Sequence, residues 1–302
     1  MTVDAKKFPI FVSGTQRSGT TLMHRILECS SDVWSCNEMY EVHEFVFGGR
    51  SRDRLARLRN ELGKFLDVQV EDFNYGEGQD DPVALLATAM ELAAARANKP
   101  RWCLKDPAVT YYLDEYAEAF PNARFVIMVR DPRAVCRSYL SPVGFTVGRP
   151  ANWVSAAQRC HREMQRQLAF AQKCPGRVLF VNYESMVSQL DKELGRVCQF
   201  IGIQYEPAMQ FYYKHQTDMK IHSGNENILT APDISKAEKW KRTLTDRQVK
   251  TVEAIALDSM QAFGYQPMFS RGRVSATRFL IARVHDRFVR EYRWQKYKFL
   301  SK

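Results

Sequence analysis

The sequence has no uninterrupted run of about eighteen apolar residues, the length a helix needs to cross a bilayer, so no transmembrane segment is expected. Met1 to Lys7 are followed by no apolar secretory core, and the expected compartment is the cytosol. CxxC pairs and Cys/His ligand spacings are missing too. The seven cysteines (29, 36, 103, 136, 160, 174 and 198) are scattered, which argues against a zinc site. Their odd number, with no export signal, argues against a fully paired disulfide framework. There is no internal repeat and no low-complexity segment. An apolar content of 45% with 26% charged residues excludes a disordered or collagen-like chain.

What is present is enough for one elaborated α/β domain: 302 residues with a net charge of +10. The charge is uneven. From Arg271 to the end there are ten Lys or Arg against Asp286 and Glu291, which leaves residues 1–270 nearly balanced. We therefore divide the chain into a catalytic body, 1–270, and a basic C-terminal extension, 271–302.

Short apolar runs at Phe8–Val12, Trp102–Leu104, Arg124–Val129 and Arg177–Val181 read as buried strands. Helical patterns lie between them at Pro82–Ala97, Thr110–Ala119, Pro132–Leu140, Ala151–Gln172 and Tyr183–Ile201, and another runs from Thr245 to Phe263 before Gly264. This alternation predicts an α/β fold, a mostly parallel sheet covered by helices on both faces. The polar stretch Gly48–Gln79 reads as an insertion outside the sheet that walls an acceptor cleft. Residues 215–238 read as a long loop.

Ser13-Gly14-Thr15-Gln16-Arg17-Ser18-Gly19-Thr20-Thr21 joins the first strand to a helix and has the make-up of an anion cradle. Gly14 and Gly19 keep the G-x-x-x-x-G frame of nucleotide loops, but Thr20 stands where a P-loop lysine belongs, and Arg17 supplies the positive charge instead. Taken alone, the motif is equally an ordinary strand-to-helix turn. A second anchor follows Arg124–Val129: Arg130 at the strand's C-terminal end and Ser138 two turns along the next helix converge on a separate phosphate.

With both anchors in this order, the chain resembles the PAPS-dependent sulfotransferase family (PAPS, 3′-phosphoadenosine-5′-phosphosulfate). It is most similar to the tyrosylprotein sulfotransferase branch and its bacterial relatives, through Arg17-Ser-Gly-Thr-Thr-Leu-Met23, Cys103-Leu-Lys-Asp-Pro107 and Phe120 to Asp131. The likeness spans roughly 8–268 and leaves the tail uncovered. It implies a P-loop-like fold in which Arg17, Ser18, Gly19, Thr20 and Thr21 hold the 5′-phosphosulfate, Arg130 and Ser138 hold the 3′-phosphate, and Tyr183 and Ser235 lie near the nucleotide. PAPS is then the sulfuryl donor and PAP (3′-phosphoadenosine 5′-phosphate) the product, with no metal required.

In-line sulfuryl transfer needs cations on the leaving and equatorial oxygens, for which Arg17 and Lys105 are the candidates. The acceptor hydroxyl must also lose its proton. Glu38 matches the place of the family's general base, Glu41 is the reserve, and His43 is a further candidate. The residues leave open whether the hydroxyl belongs to a carbohydrate, a lipid, a protein tyrosine or another small molecule. Cys36 and Cys103, each two residues before a proposed catalytic group, are expected to be near neighbours and reduced.

In residues 275–300, Leu280, Val284, Phe288 and Tyr292 recur at helical spacing with arginines around them. Three readings stand: a helix docked on the body with its arginines solvated, self-association with a second copy, or peripheral attachment to an anionic membrane. Nucleic acid is not an expected partner, since no recognised module is present. Two other functions compete with sulfuryl transfer, a P-loop kinase or NTPase acting on a small molecule and an anion- or membrane-binding adaptor.

Overall fold

The computed structural model describes residues 8–48, 53–66, 81–142, 147–217, 226–270 and 272–300. Five parallel strands, β1 (Ile10–Gly14), β2 (Val33–Cys36), β3 (Arg101–Lys105), β4 (Arg124–Val129) and β5 (Val178–Asn182), form one sheet in the order β2-β3-β1-β4-β5. The helices are α1 (Thr20–Glu28), α2 (Tyr40–Phe47), α3 (Arg54–Leu66), α4 (Pro82–Arg96), α5 (Leu113–Ala119), α6 (Pro132–Tyr139) and α7 (Trp153–Lys173), followed by α8 (Tyr183–Ser188), α9 (Leu190–Ile201), α10 (Pro207–Gln210), α11 (Ile234–Ala237), α12 (Trp240–Thr243), α13 (Asp246–Ala262) and α14 (Ala276–Leu300).

Because side chains alternate across a strand, the central strands feed two cores. Phe11, Phe125 and Ile127 pack with α2, α3, α4 and α5 on one face, while Ile10, Val12, Val126 and Met128 pack with α1 and α9 on the other. Burial on both faces is why these strands are nearly continuous apolar runs. Helix starts follow local chemistry. Asp81, Asp131, Asn152 and Asn182 accept from backbone N–H groups in the first turns of α4, α6, α7 and α8, and Thr245 with Gln248 closes a capping box on α13.

Four expectations change. The sequence pattern missed β2, whose four residues, Val-Trp-Ser-Cys, are too few to show a period; pairing with β3 from Val33↔Arg101 to Cys36↔Leu104 makes them a strand. The single helix expected over Tyr183–Ile201 is two, α8 and α9, with Gln189 between them in a non-helical conformation (φ −136°, ψ 51°). The insertion is no cleft wall among the described residues: α3 buries Leu58, Leu62 and Leu66 in the core, and residues 67–80 lie outside the described residues. The loop expected over 215–238 carries a 3-10 turn, Glu226–Leu229, and α11, while 218–225 are not described.

The tail forms one 25-residue helix, α14, and docks on the body by the face opposite the one its apolar spacing suggests. Ala282 is buried, its carbonyl accepts from Asn152 Nδ2 at 2.8 Å, and Asp286 accepts from the Ala151 N–H at 2.6 Å. Leu280, Val284, Phe288 and Tyr292 are 62–75% exposed.

Candidate active site

All five strands end at one edge of the sheet, and each delivers a site residue there: β1 the loop Thr15–Gly19, β2 Glu38, β3 Lys105, β4 Arg130 and β5 Tyr183. This is the edge where open parallel sheets bind ligands. A cleft of about 840 Å³ lies over it.

The loop's backbone is set by two positions that tolerate no Cβ. At Gly14, with φ +150°, a Cβ would sit 2.4 Å from the Met128 carbonyl oxygen; at Gly19, with φ +107°, it would sit 2.4 Å from the Tyr183 ring. Arg17 also takes a positive φ, 75°, an uncommon conformation for a non-glycine residue. Gly19 caps α1 without any side-chain hydrogen bond, so the helix's first N–H groups are left to a ligand. The buried hydroxyls of Thr15 and Ser18 have no hydrogen-bond partner among the described residues. Unpaired buried polar groups are costly, and their clustering in this loop fits an anion as the missing acceptor.

Arg17 and Arg130 join the two anchors into one site. Arg17 Nε donates to Ser138 Oγ at 2.9 Å, Arg130 Nη1 donates to the Arg17 carbonyl at 3.2 Å, and the Arg130 guanidinium lies 4.2 Å over the Tyr183 ring. Burial, and then the Arg130 charge, lower Arg17 below the usual arginine range. Burial, and then Arg17, push Arg149 down to about 10. Among the described residues, the cleft is lined by Arg17, Arg130, Arg137, Arg149, Lys236 and Lys239 against Glu38 and Glu226, a field that favours a multiply charged anion.

On the opposite side, Lys105, 1% exposed, donates to Glu38 Oε1 at 2.8 Å, and the Tyr40 hydroxyl donates to Glu38 Oε2. Asp106 anchors this corner: it accepts from the Met39 and Ala108 N–H groups and from His43 Nε2 at 2.8–2.9 Å. That arrangement corrects two expectations. His43 is fully buried between Asp106 and the Tyr116 hydroxyl and does not face the cleft. Glu41 is exposed on α2 and outside the cleft lining.

Thus the structure brings Arg17, Gly19, Thr20, Thr21, Glu38, Arg130, Ser138 and Tyr183 into the cleft wall, with Lys105 bonded to Glu38 and Ser18 buried in the loop beneath it. Ser235 is the exception. It is exposed, its N–H donates to Asp233, and it lies outside the lining, whereas its neighbours Lys236, Ala237, Lys239 and Trp240 are part of it. Sequence reasoning missed Tyr40, Arg149 and Tyr297. Arg149 and Tyr297 lie in stretches with no motif, but the Glu38–Tyr40 spacing was available as a signal. Cys36 and Cys103 are close enough to interact electrostatically, and burial pushes Cys36 far above, and Cys103 up to about 12 from, the ordinary thiol value; both are free thiols.

Comparison with known proteins places this cleft in context. The putative protein-tyrosine sulfotransferase of Caenorhabditis briggsae is 28% identical over 206 residues, covering 68% of this chain and 69% of its own. Protein-tyrosine sulfotransferase 1 of Danio rerio is 24% identical over 277 residues, covering 85% and 72%. The fold is shared with the sulfotransferase domain of the Synechococcus PCC 7002 olefin synthase, at a TM-score of 0.61 and 20% identity over 88% of this chain and 98% of that one. The sulfotransferase domain from the curacin biosynthetic pathway matches at 0.63 and 19% identity, over 86% and 98%. The family profile described as "Sulfotransferase family" matches residues 9–207, a span holding both anion anchors and the Lys105–Glu38 pair, and the chain belongs to that family.

Proposed function

We propose that this sulfotransferase takes the sulfuryl group of PAPS and transfers it in line to an acceptor hydroxyl, releasing PAP, with Glu38 as general base and Lys105 and Arg17 stabilising charge. The observation that carries this reading is the linkage of two cationic anchors, Arg17 of the first loop on Ser138 and Arg130 on the Arg17 carbonyl, beside a Lys105–Glu38 pair. A nucleotide phosphorylated at both ends of its ribose calls for two such anchors. A nucleoside triphosphate gathers its charge at one end and leaves the second without a partner.

When bound, PAPS supplies the activated sulfuryl group; the chain's residues bind it, orient it and handle the proton. The first N–H groups of α1, with Thr20 and Thr21, hold the 5′ end, while Arg130 and Ser138 hold the 3′-phosphate. Leu22, Ile228, Ala237 and Trp240 give the cleft an apolar surface suited to a purine. Glu38 accepts the acceptor proton as the new oxygen–sulfur bond forms and the bond to the nucleotide phosphate breaks. Neutralising Glu38 weakens its hold on the Lys105 ammonium, which is then free to meet negative charge on the leaving oxygen. Proton transfer and charge stabilisation are coupled through that one 2.8 Å contact.

Calorimetric titration with PAP and, separately, with ATP and Mg²⁺ tests the donor class. Tight binding of PAP without metal and a weak response to ATP are expected; preference for Mg-ATP overturns the reading.

A further inference from the structure

The longest helix of the described residues presents its large apolar side chains to solvent. Leu280, Ile281, Val284, Phe288, Tyr292 and Phe299 are 62–81% exposed. At 3.6 residues per turn they form one stripe along α14. The opposite side is engaged: Ala282 and Asp286 bond to the start of α7, and Arg293 donates to the Arg149 carbonyl at 3.3 Å. The stripe is therefore the free face of a helix whose position is already fixed.

Its borders are basic. Arg283, Arg287 and Arg290 run along one edge and Lys296 stands on the other, all exposed. Nearby, a second cleft of about 720 Å³ between α13 and the start of α14 is lined by Arg247, Lys250, Arg273 and Arg278 against one carboxylate, Asp246. A second copy of this chain would set these arginine borders against each other, and its only acidic side chain on the exposed part of the helix is Glu291, because Asp286 is turned to the body. Like charges face to face oppose pairing, whereas an anionic sheet of headgroups over an apolar interior matches both features at once. No helix of the described residues is long and apolar enough to cross a membrane.

We infer that α14 is a membrane-docking helix that lies in the surface of an anionic bilayer. Its apolar stripe enters the headgroup boundary and its arginines contact acidic headgroups. Tyr297, on the body-facing side of the same helix, lines the candidate active-site cleft, so docking keeps that cleft within about one helix diameter of the membrane surface.

The test is co-sedimentation of the full chain with phosphatidylcholine vesicles, with and without about a third phosphatidylserine. Partition onto the anionic vesicles alone, falling with added salt, is expected. Phe288→Ser should lower it roughly tenfold or more, and Arg283→Gln with Arg287→Gln and Arg290→Gln roughly a hundredfold. Thermal melts matching wild type show that these surface variants remain folded. Absent or equal partition onto the two vesicle types overturns the inference. So does a dimer, seen by sedimentation velocity, that Phe288→Ser dissociates while vesicle binding persists.

Discussion

Replacing Glu38 by Gln separates proton transfer from donor binding. The amide keeps the shape of the carboxylate, and its oxygen can still accept from Lys105 Nζ, now 2.8 Å from Oε1. The Tyr40 hydroxyl, which donates to Oε2, can turn and accept from the new NH₂ group. Folding should therefore be kept, while the group that takes the acceptor proton is lost. General-base catalysis of this kind contributes about a hundredfold to ten-thousandfold, or roughly 3–5 kcal/mol of barrier. PAP binding should move the other way: the Glu38 charge is one of those that raise Arg17, so its removal leaves the cleft more positive. Affinity should stay level or tighten by a few fold. The assay pairs PAP calorimetry with the rate of PAP formation from PAPS and an acceptor that supports wild-type turnover. Turnover within about threefold of wild type, with PAP binding intact, would falsify the role of base.

Other consequences follow from single contacts. Arg130→Ala removes the hydrogen bond to the Arg17 carbonyl and the cation over Tyr183, and should weaken PAP roughly a hundredfold while barely affecting a nucleotide that lacks the 3′-phosphate; equal losses remove Arg130 from its assigned place. Gly19→Ala sets a Cβ 2.4 Å from the Tyr183 ring at a φ of +107°, and PAP affinity should drop; Tyr183→Ala in the same chain should recover only part of it, since the backbone strain stays, and full recovery would locate the whole effect in the clash. Arg133→Leu strips the guanidinium from Asp131 and Glu253, each no more than 6% exposed, and should cost about 3–5 kcal/mol by urea unfolding; a loss below about 1 kcal/mol contradicts this account. Burial lowers the His24 imidazole from its usual 6.5, so the unfolded chain takes up a proton that the native state refuses. That contribution is full above about pH 6.5 and is lost as pH falls towards the folded value; His24→Gln should flatten the decline, and parallel stability profiles for the two proteins would rule the linkage out.

The central fold was legible because its strands are buried on both faces. Phe11, Phe125 and Ile127 alternate with Ile10, Val126 and Met128 between two cores, so runs of apolar residues survive in the sequence as visible blocks. β2 left no such block. It is an edge strand of four residues, with Trp34 partly exposed, and its identity as a strand comes from the ladder to Arg101–Leu104. The break between α8 and α9 was equally hidden, for Gln189 is no helix breaker by composition. The tail shows a different limit. Its apolar period was read correctly as a helix, but which face docks was decided by small and polar groups, Ala282, Asp286 and Asn152, that a hydrophobic pattern does not weigh.

The proposed anion loops were the most legible part of the candidate site, because they are local: a glycine frame, or an Arg and a Ser two helical turns apart, places its groups whatever the rest of the chain does. The proposed proton-transfer corner is not local. Glu38 and Lys105 lie 67 positions apart and meet because β2 and β3 are neighbours in parallel register, so both strands end at the same edge and aim their next residues at the same space. Without β2 in the sequence reading, Glu38, Glu41 and His43 were three acceptable bases on one stretch of chain. With β2 in the sheet, Asp106 grips the Met39 N–H and His43 from below, and of those three candidates Glu38 alone lines the cleft with the cations. Tyr40 completes this corner. Its hydroxyl closes the second oxygen of Glu38, so the carboxylate's orientation is fixed from both sides, and loosening either Tyr40 or Lys105 should slow turnover more than it weakens nucleotide binding.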